Sequence, residues 1–346
     1  MTITIAIPVH NGEKFLESAL DSAINQKRPA EEILVVDDGS TDRSAGILKM
    51  KKWEGRIRCE YNANPTGFVD AWNRAARYAT SEFVAILHQD DLLDSEYLLR
   101  IEESMKLFPD CRHFYTGYYY IDAGGHRTAE SPLPHSPNPE RLDGKEYAHR
   151  YLEGVLVNRH LHRCPGVTTE RALILNKCAY RKEAGLIADD DFFLRVGEYT
   201  DVVGISQPLA SFRVHTESAT GRLASIARQL ARDYVSETRY YESHRSFLRE
   251  SDIGSIHAQA VKFINTYFIE ALLANAPDSL AEVRELRGEL VSLVPYCFDR
   301  HTSFLTRRLW NAAEHSRSGS IATRAISICL RMLVGLKKNF SSIHQE

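Results

Sequence analysis

Three stretches of the chain set carboxylates side by side: Asp37-Asp38, Asp90-Asp91 and Asp189-Asp190-Asp191. Adjacent carboxylates repel one another unless a cation or a hydrogen-bond donor compensates them. Hard oxygen donors of this kind hold a divalent cation against phosphates. For Asp90-Asp91, which stand two residues beyond an apolar run, metal ligation is the expected use. Asp37-Asp38-Gly39-Ser40 divides evenly between a tight turn into a helix and an acceptor of hydrogen bonds from a base or ribose. At 189–191 the acids open a helical pattern. Asp190 reads as a partner of the helix dipole, and at least one of the three as a salt-bridge partner or a general base for an alcohol.

These acids need a scaffold, and the first ninety residues alternate strand and helix signals, as in a parallel sheet wrapped by helices. Thr2–Pro8, Ile33–Val36, Ile57–Tyr61 and Phe83–Leu87 read as strands. Asn11 is placed to cap a helix with Phe15, Ala19, Leu20, Ala23 and Ile24 on one face, and Gly67–Tyr78 reads as another helix. In such sheets ligands bind beyond the carboxyl ends of the strands, where two of the acidic sets stand. No GxGxxG follows the first strand and no GxxxxGK[ST] is present, so phosphates bound there would need a metal. Further on, His113–Asp122 and Thr168–Leu175 read as strands, Ser131–Pro139 as an extended Pro-rich loop, Lys145–Val157 as a helix, and Pro208–Val214 as a last strand ending at His215. From about Gly221 only helical patterns follow, such as Ala258–Ala274. The expected architecture is α/β: a nucleotide-binding mixed sheet flanked by helices over residues 1–222, then a mostly helical region over 223–346.

A length of 346 residues fits about two domains. With 43% hydrophobic and 26% charged residues, disorder, collagen and coiled coil are excluded as global readings. A net charge of -3 gives no chain-wide basic field for nucleic acid. Residues 1–222 hold 27 Lys+Arg against 33 Asp+Glu, whereas 301–346 hold 7 against 2, so an acidic front precedes a basic tail. The six cysteines are scattered without a CxxC pair, which suits a reducing compartment better than a disulfide framework or zinc site. Neither a signal peptide nor an apolar membrane span is visible, so a cytoplasmic protein is expected.

The order of motifs resembles the family 2 glycosyltransferases of GT-A fold. It runs Ile7-Pro8-Val9-His10-Asn11-Gly12, Val35-Val36-Asp37-Asp38-Gly39-Ser40-Thr41-Asp42, Asn64 to Asn73 with Gly67 and Ala71 between, and Leu87-His88-Gln89-Asp90-Asp91. The resemblance is dense over residues 1–95, sparser to about 220 and absent beyond. It implies an inverting transferase that uses a nucleotide-diphosphate sugar, UDP- or dTDP-linked, with Mg²⁺ or Mn²⁺. Pro8, His10, Asn11, Asn64, Gly67 and Asn73 would then lie along the nucleotide sugar, Asp38 would face the base and Asp90 the ribose or sugar. Asp91 would be the direct metal ligand. Where many relatives read Asp-x-Asp-Asp, this chain has His88 first. Ala188-Asp189-Asp190-Asp191-Phe192-Phe193-Leu194-Arg195 resembles the family's Glu-Asp-x-Asp-Leu-x-Leu-Arg stretch, which implies Asp189 as catalytic base, Ala188 in place of Glu, and Asp191 as support. Phe212-Arg213-Val214-His215 resembles the late Arg-x-His segment, whose His approaches the metal or diphosphate, with Arg213 supporting.

The resemblance further implies a glycan or lipid-linked acceptor and a role in surface polysaccharide synthesis. The segments 131–139 and 158–166 are expected to shape the acceptor side, where Arg163 lies with His160 and His162; a solvated basic loop explains that cluster equally well. Ile321–Phe340 has an amphipathic basic pattern with three readings: a helix packed on its own domain, an interfacial helix on anionic lipid at the inner face of the membrane, or a homo-oligomer contact. Rival functions are a sugar nucleotidyltransferase, which would show a glycine-rich basic loop after the first strand, and a catalytically silent sugar-nucleotide or glycan-binding protein.

Overall fold

A computed structural model describes residues 1–131, 139–157, 159–218 and 225–314. The chain divides into two compact units, Met1–Arg222 and Leu223–Glu346.

In the first unit a ten-stranded sheet runs β3-β2-β1-β4-β9-β6-β10-β5, with β7 added to β6 and β8 to β10. The strands are β1 (Ile3–Val9), β2 (Glu32–Asp37), β3 (Arg58–Tyr61), β4 (Phe83–Ile86), β5 (Leu92–Leu93), β6 (His113–Ile121), β7 (Arg127–Glu130), β8 (Glu140–Leu142), β9 (Val167–Glu170) and β10 (Val202–Arg213). β1 is buried along its whole length and apolar except for Thr4, as suits a central parallel strand covered on both faces. It pairs in parallel with β2 and β4, so the ends of all three open on one edge. β9 runs antiparallel to β4 and β6 and makes the sheet mixed. β10 pairs in parallel with β6, but its register slips around Pro208. Proline has no N–H to donate, and the irregularity absorbs that gap inside an otherwise continuous strand.

The helices of this unit are α1 (Leu16–Ile24), α2 (Ser44–Leu48), α3 (Phe68–Tyr78), α4 (Tyr97–Leu107), α5 (Gly144–Leu156), α6 (Arg171–Asn176) and α7 (Ala188–Val196). α1 buries Leu16, Ala19, Leu20 and Ala23, the stripe its sequence spacing predicts. Its first turn is not capped by Asn11. That residue sits at φ 52 and accepts a hydrogen bond from Thr41 N, so it ties the β1 and β2 loops together. The expected strand Thr168–Leu175 is likewise corrected: β9 stops at Glu170, and Arg171–Asn176 form α6, which buries Leu173 and Ile174. A short apolar run reads alike for a strand and a buried helical turn. The expected loop 131–139 falls largely outside the described residues.

The second unit contains α8 (Ile226–Ser243), α9 (Glu250–Ala274), α10 (Pro277–Leu293), α11 (Cys297–His301) and α12 (Phe304–Glu314). The α9 stripe Val261, Ile264, Phe268 and Leu272 is buried, and Trp310 of α12 stacks on Phe268 at 3.8 Å. Ile321–Phe340 lies outside the described residues. Among the described residues no helix is long and apolar enough to cross a membrane.

Candidate active site

The edge formed by the ends of β1, β2 and β4 is knitted by side chains. Gln89 accepts a hydrogen bond from His10 N and donates to His10 O, which fixes the β4 end to the β1 end. His10 Nδ1 lies 2.9 Å from Asp38 O, and Asn11 N donates to Ser40 Oγ. A β-carbon at Gly12 would come within 2.6 Å of Gln89 Oε1, so a larger residue there would push the Gln89 amide off His10. Gly39, at φ +71, turns where a β-carbon would meet Pro65 N at 2.9 Å.

Asp38 is buried, and its carboxylate accepts from Asn62 Nδ2 (2.6 Å), Thr66 N (2.7 Å), Thr66 Oγ1 (2.9 Å) and Gly67 N (3.0 Å). Burial opposes its charge, but these donors outweigh it and hold the carboxyl below its usual range. Asp38 therefore shapes the loop that carries Asn64 and Gly67, both exposed. Asn73 is occupied as well: its amide donates to Tyr180 O and accepts from Tyr180 N, which staples α3 to the segment before α7. Pro8 is a buried strand residue of β1.

At the β4 end, His88, Asp90 and Asp91 bring one ligand atom each within 4.8 Å of one another. Asp91 is 1% exposed; its Oδ1 accepts from Arg213 N at 2.7 Å, and its Oδ2 has no hydrogen-bond partner. Burial and the neighbouring Asp90 charge raise the Asp91 carboxyl, with His88 acting in the opposite direction. An orphaned, buried carboxylate oxygen facing a second carboxylate and an imidazole is a donor set that fits a divalent cation. Asp90 Oδ2 is 2.8 Å from His215 Nε2, so His215 reaches the cluster through Asp90. Arg213 donates through Nε to Asp90 O and through a terminal nitrogen to Asp122 O, and it lies over the Phe15 ring, which also meets His215 edge-on. The late motif thus braces the acidic turn.

The three carboxylates at the start of α7 have separate fates. Asp191 is 1% exposed and bonded to Arg195 (2.6 Å) and Arg181 (3.1 Å). Asp190 accepts a 2.6 Å hydrogen bond from the Tyr151 hydroxyl of α5, with His160 Nδ1 at 3.7 Å. Asp189 has no side-chain partner among the described residues. Burial, reinforced by the Asp190 charge, pushes its carboxyl up to about 6, while Arg163 and His88 pull it the other way. That position suits a general base near neutral pH. Arg163 lies over Phe212 and reaches the Tyr120 hydroxyl at 3.3 Å. Cys164, buried beside it, lies within electrostatic reach of His88, Asp91 and Asp189, which sets the two acidic clusters near one another.

His160 and His162 do not form a solvated loop: both are buried, and His162 packs against Tyr147, Tyr151 and Phe193 with Nε2 2.8 Å from the Tyr147 hydroxyl. Desolvation holds His162 well below the usual histidine range. Sequence reasoning missed Gln89, Tyr151 and Cys164. Gln89 stands inside the acidic motif and was legible by position, whereas Tyr151 carries no local signal because its partner lies 39 residues away.

The model of glycosyl transferase family 2 matches residues 4–157. A poly(ribitol-phosphate) beta-glucosyltransferase of Bacillus spizizenii is 41% identical over 104 residues, 29% of this chain and 16% of that protein. The putative teichuronic acid biosynthesis glycosyltransferase TuaG of Bacillus subtilis is 31% identical over 142 residues, 41% of this chain and 55% of that protein. The chain therefore spans about half or less of the length of these two relatives. The uncharacterized glycosyltransferase EpsJ of Bacillus subtilis is 24% identical over 89% of this chain and 88% of its own. Residues 1–349 of Staphylococcus aureus TarS, solved in complex with UDP-GlcNAc, share the fold with a TM-score of 0.63 at 17% identity, over 96% of this chain and 92% of that one.

Proposed function

We infer, for a chain that carries a family 2 glycosyltransferase domain over residues 4–157, that the protein moves one sugar from a nucleoside-diphosphate donor to a hydroxyl of a glycan or lipid-linked acceptor, with inversion. The observation that carries this reading is Asp189, a half-buried carboxylate raised to about 6 by burial and the Asp190 charge and within electrostatic reach of His88 in the acidic cluster. The names of the relatives, which speak of poly(ribitol-phosphate) and teichuronic acid, favour a surface polysaccharide as the product. The UDP-GlcNAc complex of the structural neighbour favours a UDP-linked donor over a dTDP-linked one.

In this mechanism the nucleotide lies over the ends of β1 and β2, against His10, Asn11 and the 62–67 loop that Asp38 holds in shape. Asp91 would hold a divalent cation, with Asp90 and His88 beside it and Arg213 and His215 bracing the turn. When bound there, such a cation would offset the charge that develops on the leaving diphosphate. Asp189 accepts the proton of the acceptor hydroxyl as its oxygen bonds to the anomeric carbon from the face opposite the diphosphate. The bond from that carbon to the phosphate oxygen breaks, and the nucleoside diphosphate leaves. One displacement inverts the centre, so no covalent nucleophile on the protein is needed. Residues 1–222 form the catalytic part in this reading, and the cytoplasmic face of the membrane is the proposed place of action.

The test is a thermal-shift panel of UDP-, dTDP- and GDP-sugars with Mn²⁺, followed by nucleoside-diphosphate release with the stabilising donor. One donor class should stabilise the wild type and Asp189→Ala alike, while the variant releases no diphosphate. Full turnover by Asp189→Ala would remove Asp189 from its role. A panel without any stabilising donor would remove the transferase reading. For membrane contact through the C-terminal segment, pelleting with anionic liposomes before and after truncation at residue 318 is decisive, since equal binding by both forms would end that reading.

A further inference from the structure

We propose that His88 is a direct ligand of the cation and makes the site selective for first-row transition ions such as Mn²⁺ and Co²⁺ over Mg²⁺. This rests on the reading of the β4 end as a cation site, and it concerns the member of the trio His88, Asp90 and Asp91 that offers nitrogen rather than oxygen.

Geometry comes first. His88 Nδ1 lies 3.5 Å from Asp91 Oδ2, the buried oxygen that lacks a hydrogen-bond partner. An octahedral cation with bonds of about 2.1 Å sets neighbouring donors roughly 3 Å apart, so a small closure brings both atoms onto one ion. The surrounding contacts hold the donors near that arrangement. Asp91 Oδ1 is fixed by Arg213 N, and the turn is closed by Asp91 N donating to His88 O at 3.2 Å. Trp72 stacks on the imidazole with centroids 5.2 Å apart and planes 14° from parallel, which limits the ring to a narrow set of orientations. Asp90 is steadied by His215.

Chemistry then sets the selectivity. Mg²⁺ demands hard oxygen ligands and near-ideal octahedral geometry, and it sheds water reluctantly. An imidazole nitrogen is a borderline donor that transition ions accept far more readily. Replacing one carboxylate of an all-oxygen set by His88 therefore lowers the site's standing for Mg²⁺. It also leaves the set less negative, which weakens a purely electrostatic ligand most. The competing account makes His88 only a charge partner of Asp91, and it predicts no effect of His88 on cation choice.

The experiment uses the full chain with UDP as probe and reads the cation itself. Bound Mn²⁺ is followed by electron paramagnetic resonance, and pulsed measurements look for nitrogen-14 coupling from a directly bound imidazole. Wild type should show that coupling, and Mg²⁺ should displace Mn²⁺ only at a hundredfold excess or more. In His88→Asp the coupling should vanish and the excess needed should fall at least tenfold, whereas Asp91→Asn should lose Mn²⁺ altogether. Bound Mn²⁺ without nitrogen coupling in the wild type, or an unchanged Mg²⁺ competition in His88→Asp, would overturn the proposal while leaving the cation reading intact. Absence of Mn²⁺ binding by the wild type, with and without UDP, would overturn both. Because His215 also stands at the cluster, His215→Phe should keep the nitrogen coupling, and loss of the coupling in that variant instead would assign it to His215 and overturn the proposal.

Discussion

The Tyr151 hydroxyl donates a 2.6 Å hydrogen bond to Asp190, the residue next to Asp189. Two helices distant in sequence, α5 and α7, meet at that bond, and it fixes the turn on which the proposed base stands. Tyr151 is 1% exposed, so no water replaces the hydroxyl when it is removed. Hydrogen bonds to charged groups contribute about 1.5–3 kcal/mol. Tyr151→Phe should therefore lower stability by about that amount and reduce kcat several-fold, with the donor KM nearly unchanged. Denaturant unfolding and steady-state kinetics check the two halves. A variant with wild-type kcat would show that Asp189 is positioned without the aid of Asp190.

The acid limb of the rate profile should report Asp189. Its carboxyl is raised to about 6 and is a base only when charged, so below about pH 6 the rate falls with each proton gained and above it the rate levels off. Arg163 favours the charged form, and removing its charge in Arg163→Met should move the limb to higher pH. The dependence of kcat/KM on pH for both forms is the check. A limb that stays in place would mean that Arg163 does not act on the base.

How much of this was legible before folding differs between the two acidic clusters. Asp90-Asp91 stand in the turn after the buried strand β4, and a strand end in a parallel sheet has a known place, so sequence position alone carries the reading. At 189–191 three like residues stand in a row, and choosing among them depends on which ones find partners. Arg195 is one helical turn beyond Asp191, so their pair was readable by spacing. Tyr151, Arg181 and His160 reach the row from elsewhere in the chain, and no periodicity announces them. Asn11 and Asp38 illustrate the same limit. From sequence Asn11 reads as a helix cap and Asp38 as either a turn residue or an acceptor for a base or ribose, yet their side chains bond to neighbouring loops through contacts that form only when the sheet brings the strand ends together.

Asp191 is expected to matter for stability rather than chemistry. It is buried, and its carboxylate compensates both Arg195 and Arg181. Removing one partner of a buried pair leaves charge without compensation and costs about 3–5 kcal/mol. At roughly 2–4 °C per kcal/mol, Asp191→Ala should lower Tm by on the order of 10 °C. Scanning calorimetry of the variant measures this, and a loss below about 1 kcal/mol would mean that the arginines find other anions.

Asp38 gives a prediction that separates a loop-shaping role from direct contact with the nucleotide. Its two oxygens face only donors, including the backbone N–H groups of Thr66 and Gly67. Asp38→Asn keeps the size but turns one acceptor into a donor, which must then meet another donor in a buried place. The loop 62–67 should loosen, and amide exchange at Thr66 and Gly67 should speed up at least tenfold even without nucleotide. Donor affinity should fall alongside, because the loop that carries Asn64 and Gly67 is no longer held against β2. Unchanged exchange together with weaker nucleotide binding would point instead to a carboxylate that lets go of the loop and bonds to the base itself.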